Sequence, residues 1–233
     1  MTSLVRDPYK LHVVYNFEFP NGEHKSFEVD ADLTSNEVKH YSPNTYTWAE
    51  LEFNKCANCP LGKQHKYCPA ALSLVDIIEY FSTHQSYATS LCRVEFPEKT
   101  VTAQKSLQET LYPLMGLRMA TSQCPVLRKF KAMARFHEPF SSPYYTVYRA
   151  LSQYLLGRYF ANQKTENPDW TLDGLRRFYV DVKAVNEKLA ERLVAAKVMD
   201  ATPNSIVILS MFSMSMTSLF DAYLGIVEKL FDQ

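Results

Sequence analysis

Residues 9–19 alternate apolar and polar side chains with a period of two. Leu11, Val13, Tyr15, Phe17 and Phe19 share one face, and His12, Asn16 and Glu18 the other, where Val14 is the one apolar residue. That is the pattern of a half-buried β-strand, with His12 a surface residue. Pro20-Asn21-Gly22 follows, and Asn-Gly favours the positive φ angles of a type I′ hairpin turn. Residues 25–30 return with Phe27 and Val29 inward. A second hairpin is predicted from 86–96 through Pro97-Glu98-Lys99 to 100–105, with Cys92 beside Val94 and Phe96 as a small buried hydrophobe. Between the hairpins, residues 31–46 read as a polar linker and 47–53, with Trp48, Leu51 and Phe53, as a short extended segment. These pieces predict a small antiparallel sheet.

The period changes to that of a helix over 70–81. Leu74, Val75, Ile78 and Phe81 form a stripe opposite Ser73, Asp76 and Glu79, and Pro69 suits the first turn. From Ser106 onward the helical pattern dominates. Leu107, Leu111, Leu114 and Leu117 recur at helical spacing, with soft breaks expected at Pro113 and Gly116. A short helix is expected between Cys124-Pro125 and Pro139. Ser141-Ser142-Pro143 caps a helix over 144–161 with Val147, Leu151, Tyr154 and Leu155 inward. Asn167-Pro168-Asp169 is a break, and 171–198 is a long helix burying Leu172, Leu175, Tyr179, Val182, Leu189 and Leu193. Residues 200–204 turn, and 205–231 form a last apolar helix whose stripe runs Ile208, Phe212, Leu219, Ile226 and Leu230, widened by Val207, Met211 and Met214. Such a helix needs cover on more than one side, from its own chain or from a second copy in a homodimer. Met211, Met214 and Met216 read as core filling.

The fold class is therefore α+β. Residues 1–105 form a hairpin-rich sheet region with a cysteine loop and one helix, and 106–233 a helical region integrated with the first in one domain. At 233 residues and 46% hydrophobic composition the chain can bury a large core. Its 25 basic and 25 acidic residues give no net charge, which removes the generic case for nucleic-acid binding. The apolar stretch 206–224 is interrupted by four serines, a threonine and Asp221, so a buried helix is expected there and not a membrane span. No apolar signal segment is visible at residues 1–10, and a reduced, cytoplasmic setting is expected.

In that setting, clustered cysteines point to metal binding or redox chemistry before disulfides. Cys56 and Cys59 form a C-x2-C pair, Cys68-Pro69 closes the same loop, and Cys124-Pro125 repeats the last feature far downstream. Four thiolates suit Zn²⁺ or a 4Fe–4S cluster, and Cys-Pro tilts the choice towards the cluster; unliganded thiols are the third reading. Cys68 and Cys124 each precede a predicted helix start, where free backbone N–H groups favour a thiolate. Lys55, Lys63, Lys66, Arg128 and Lys129 stand near both segments in sequence. A different chemistry, Cys124 as nucleophile with His137 as base, lacks an identifiable acidic orienter. Common nucleotide, metalloprotease and hydrolase motifs do not occur.

Phe53-Asn-Lys-Cys-Ala-Asn-Cys-Pro-Leu, Tyr67-Cys-Pro-Ala-Ala, Leu117-Arg-Met-Ala-Thr-Ser-Gln-Cys-Pro and Met133-Ala-Arg-Phe-His resemble an uncharacterised bacterial family, a domain of unknown function. The likeness covers most of the chain and implies no activity or ligand. In the family pattern a glycine often precedes the fourth cysteine and a histidine often follows its proline, where this chain has Gln123 and Val126. The expectation is a cytoplasmic four-cysteine metalloprotein, its centre structural or electron-transferring and open to a redox or protein partner near the loop. The alternative is a homodimeric interaction module, paired through the C-terminal helix, in which any metal is only a staple.

Overall fold

Both predicted hairpins form in the computed structural model, which describes residues 7–35, 46–163, 170–196 and 199–231. Strands β1 (Lys10–Glu18), β2 (His24–Asp32), β3 (Thr89–Glu95) and β4 (Thr100–Ser106) make one antiparallel sheet in the order β2-β1-β3-β4. Register pairs Tyr15 with Phe27 on one side and Val94 on the other, and Phe17 with Cys92. The alternating pattern then puts Leu11, Val13, Tyr15, Phe17, Phe27, Val29, Cys92 and Val94 on one buried face. His12 stays at the surface against Asp30.

The first turn differs from the type I′ expectation. Only Gly22 is left-handed (φ +85°), while Gly22 N–H donates to the Phe19 carbonyl and Phe19 N–H to that of Glu23, each at 2.9 Å. A type I turn ending in a glycine bulge satisfies the same strands with one positive φ instead of two.

The sheet's buried face is covered by α1 (Pro69–Leu72), α2 (Val75–Tyr80) and α3 (Leu107–Thr121). The run 70–81 is two short helices, because Ser73 turns its hydroxyl back to the Ala70 carbonyl (2.8 Å) and Leu74 N–H bonds Ala71 at 3.1 Å, tightening the backbone. Ser73 is buried for that reason, and not on the outward face. Phe81 ends this segment amid Phe17, Phe19 and Phe27, ring centroids 5.4–6.4 Å away. Helix α3 runs through Pro113 and Gly116 without a break. Leu107, Leu111, Leu114 and Met115 are fully buried, and that burial outweighs one lost backbone hydrogen bond. Glu109 accepts from the Ser106 N–H and hydroxyl and fixes the start of the helix.

A 3-10 turn (Leu127–Phe130) leads into α4 (Lys131–Arg135), then α5 (Pro143–Asn162), α6 (Asp173–Ala195) and α7 (Ala201–Glu228). Ser142 caps α5 through Tyr145 N–H (3.4 Å), and all six residues predicted for the inner stripe of α6 are buried. The break expected at Asn167-Pro168-Asp169 and most of the linker 31–46 lie outside the described residues.

Helix α7 starts at Ala201, inside the expected turn, and buries a face shifted around the helix from the one predicted. Ala201, Thr202, Ser205, Ile206, Ser213, Met216 and Phe220 face inward; of the expected stripe Ile208, Phe212 and Leu219 are half-buried, and Val207, Met211, Met214, Ile226 and Leu230 are 44–71% exposed. The serines explain the shift. Ser205 and Ser213 return their hydroxyls to the Ala201 and Ser210 carbonyls (2.7 and 2.8 Å), so they can be buried and let α7 lie close to α3 and α6. A Cβ at Gly116 would already touch Leu209 at 3.4 Å. No single helix among the described residues is long and apolar enough to cross a membrane; the two limbs of α7 reach that length only together, across a 60° bend.

Candidate metal centre

The cysteine loop is a closed excursion. Leu51 N–H donates to the Lys66 carbonyl (2.9 Å) and Cys68 N–H to that of Ala49 (2.8 Å), flanking an antiparallel bridge between Glu50 and Tyr67. Residues 47–53 are thus a 3-10 turn (Thr47–Ala49) and one bridge, and they do not join the main sheet as a strand. Asn54, left-handed at φ +45°, turns the chain towards Cys56, and Cys59 N–H donates to the Cys56 carbonyl at 3.1 Å. That bond makes C-x2-C a tight turn with both sulfurs on one side.

Cys68 and Cys124 are built alike. The backbone N–H groups of Ala70 and Ala71 favour the Cys68 thiolate, and those of Val126 and Leu127 the Cys124 thiolate. In each case the residue between is a proline, which has no N–H to leave unpaired. Ser122 Oγ accepts the Cys124 N–H (3.3 Å) and Arg128 N–H bonds the Cys124 carbonyl (2.9 Å), which fixes the second turn. Position 126 contributes its backbone here; the Val126 side chain is buried in the core.

The fold draws these segments together. Each of the four thiols, Cys56, Cys59, Cys68 and Cys124, is electrostatically coupled to the other three. Burial, then the neighbouring sulfurs, pushes the Cys56 thiol up to about 12. Burial likewise raises Cys68, and lifts Cys124 to about 11. Cys92 lies apart in the sheet, raised to about 12 by burial alone. Cys68 and Cys124 are buried and Cys56 and Cys59 half-buried, so the group has one edge towards solvent. As free thiols, no three His, Cys, Asp or Glu side chains among the described residues stand where they could hold a metal ion between them.

Arg192, on the last turn of α6, is the cation that reaches this group. It is 1% exposed and donates to the carbonyl oxygens of Trp48 (2.8 Å), Glu50 (2.6 Å) and Leu51 (3.1 Å), with no carboxylate paired to it among the described residues. Its charge favours the thiolates of Cys56 and Cys68. About three turns earlier on α6, Asp181 accepts from Asn58 Nδ2 through its backbone and side-chain oxygens (3.2 and 3.1 Å), so the helix grips both the base and the tip of the loop. Three of the five basic residues near the cysteines in sequence go elsewhere: Lys55 pairs with Glu52, Lys66 lies over Tyr67 and Lys129 over Phe178. Arg192 escaped the sequence reading although it falls at an inward phase of the α6 stripe, three residues after Leu189. A polar residue in such a stripe was the available signal.

Cys124 and His137 do not form a nucleophile–base pair. His137 Nε2 is hydrogen-bonded to the Tyr15 hydroxyl at 2.5 Å, and the histidine is held neutral by loss of solvent and by Arg149 and Lys99.

A family model, domain of unknown function (DUF6901), matches residues 13–232. The chain belongs to that family. No curated protein and no solved structure matches it. The matched span includes every residue of the four-cysteine group, and the Met133-Ala-Arg-Phe-His137 segment ties the domain together. Ala134 is buried, Arg135 Nε donates to the Pro8 carbonyl (3.0 Å), and His137 meets Tyr15 of β1.

Proposed function

We propose that this DUF6901 chain is a four-thiolate metalloprotein whose centre, held by Cys56, Cys59, Cys68 and Cys124, ties the sheet region to the helical region. The supporting observation is the mutual coupling of four thiols from three separate segments, two of which, Cys56 and Cys68, feel a buried guanidinium that has no carboxylate partner among the described residues. Neutral thiols leave that cation with carbonyl dipoles and the Phe53 ring but no opposite charge; a four-thiolate centre with net negative charge balances it. The paired N–H groups on two sulfurs suit thiolate acceptors and are of the kind that tunes a cluster. Cys-Pro at three of the four positions favours an iron–sulfur cluster over zinc. When bound, such a cluster would supply electron exchange, and zinc would supply a cross-link only. On binding either occupant the four residues would lose their thiol protons. Five free cysteines fit a reduced, cytoplasmic setting.

Purification without oxygen, elemental analysis and a visible spectrum test the proposal. Near-stoichiometric iron and sulfide, or zinc, is expected, lost in each of Cys56→Ser, Cys59→Ser, Cys68→Ser and Cys124→Ser and kept in Cys92→Ser. A metal-free, fully folded wild type would refute it. A reversible redox wave without unfolding separates electron transfer from a purely structural role.

A further inference from the structure

A cavity of about 190 Å³, lined by none of the four cysteines, lies among α3, α4, α5, α6 and α7. Most of its wall is apolar, including Leu117, Leu209 and Phe212. Three polar groups stand on that wall, one of them with a buried oxygen that the protein leaves unpaired. Asn186 is 2% exposed, and its Oδ1 has no hydrogen-bond partner; its Nδ2 only reaches Ser213 Oγ at 3.5 Å. Tyr179 is a buried residue on the same wall, and its hydroxyl makes no hydrogen bond among the described residues. Arg149 donates to the carbonyls of Met133 (3.2 Å) and Phe136 (2.6 Å) and makes no ion pair with a carboxylate among the described residues; Glu138, on the same wall and joined to Lys99, favours its charge from a distance.

Buried polar groups are normally satisfied, and those that are not mark either an unseen partner or a retained function. Here the one unsatisfied group, Asn186 Oδ1, shares a single space with Tyr179 and with a half-buried cation, Arg149. A dry cavity of about 150 Å³ takes up benzene, so this one has room for a ring or short chain with a small head group. A neutral apolar guest would leave Arg149 unpaired. A strongly polar guest would waste the apolar wall.

We propose that this cavity binds a small amphipathic carboxylate, its apolar body against Leu209 and Phe212 and its carboxylate at Arg149 and Tyr179. The site is independent of the metal centre. Asn186 Oδ1 is left to accept an O–H or N–H from the guest or from a water carried with it.

Titration of the protein as isolated with benzoate, phenylacetate, hexanoate and benzyl alcohol, followed by calorimetry and amide chemical shifts, tests the proposal. At least one carboxylate is expected to bind saturably at one site, at least tenfold tighter than benzyl alcohol. Arg149→Met should remove that preference. Asn186→Leu, which is nearly isosteric and replaces the orphaned oxygen with a methyl group, should weaken binding while raising Tm by about 2–6 °C. Absence of saturable binding by all three carboxylates overturns the proposal, as does benzyl alcohol binding equally well. A lower Tm for Asn186→Leu would make Asn186 a structural group and overturn its role in the site.

Discussion

Replacing Arg192 with methionine probes how the cysteine loop is held and what the guanidinium faces. The side chain is 1% exposed and donates three hydrogen bonds to the carbonyls of Trp48, Glu50 and Leu51 at 2.6–3.1 Å. Bonds from a charged donor contribute about 1.5–3 kcal/mol each. The three share one side chain, and folding also strips a cation of water, so their sum overstates the effect. Methionine keeps much of the stem's volume but strands three carbonyls. The expected loss in metal-free protein is about 3–5 kcal/mol, a large part of an ordinary domain's stability. Urea unfolding followed by circular dichroism, with chelator and reductant present, measures it. In metal-loaded protein the loss should grow by on the order of 1–2 kcal/mol, because the guanidinium then faces net negative charge. Arg192→Lys should restore that increment while still losing the fork of hydrogen bonds. A metal-free loss below about 1 kcal/mol would refute the latch. Equal losses with and without metal would show that the cation does not sense the thiolates.

Other outcomes follow from the same geometry. His137 is neutral in the folded protein with its pKa pulled down to about 3, so its contribution to stability is present above the unfolded value of about 6.5 and fades as pH falls towards 3. His137→Gln should flatten that acid limb of the stability profile; an unchanged limb would place its origin elsewhere. Phe81→Ala should lower stability by about 3–5 kcal/mol in urea titrations, since the ring is fully buried against three other phenylalanines. A homodimer through α7 would cover Val207, Met211 and Met214, which are 44–61% exposed in the single chain. Light scattering at micromolar concentration should then give a dimer mass that Met211→Lys with Met214→Lys reduces to a monomer's, and a monomeric wild type would end that idea.

The strands, the long helices and the four cysteines were legible in the sequence because each is a local pattern. Period-two alternation places Leu11 to Phe19, helical spacing places Leu172 to Leu193, and C-x2-C with two Cys-Pro steps names the sulfurs before any fold is known. What lies between distant segments was decided only by tertiary structure. Arg192 and Asn186 read as polar positions on a helix until packing shows that one donates to the base of the cysteine loop and the other borders a cavity. The face that α7 buries was misread because hydrophobicity marks large side chains as internal. Ser205 and Ser213 are small enough to let helices approach and can bond their own backbone. The fold buried those serines and left Met211 and Met214 outside. Apolar periodicity records how much each residue gains by leaving water; it does not record how closely two backbones can come, and that distance is a property of both partners.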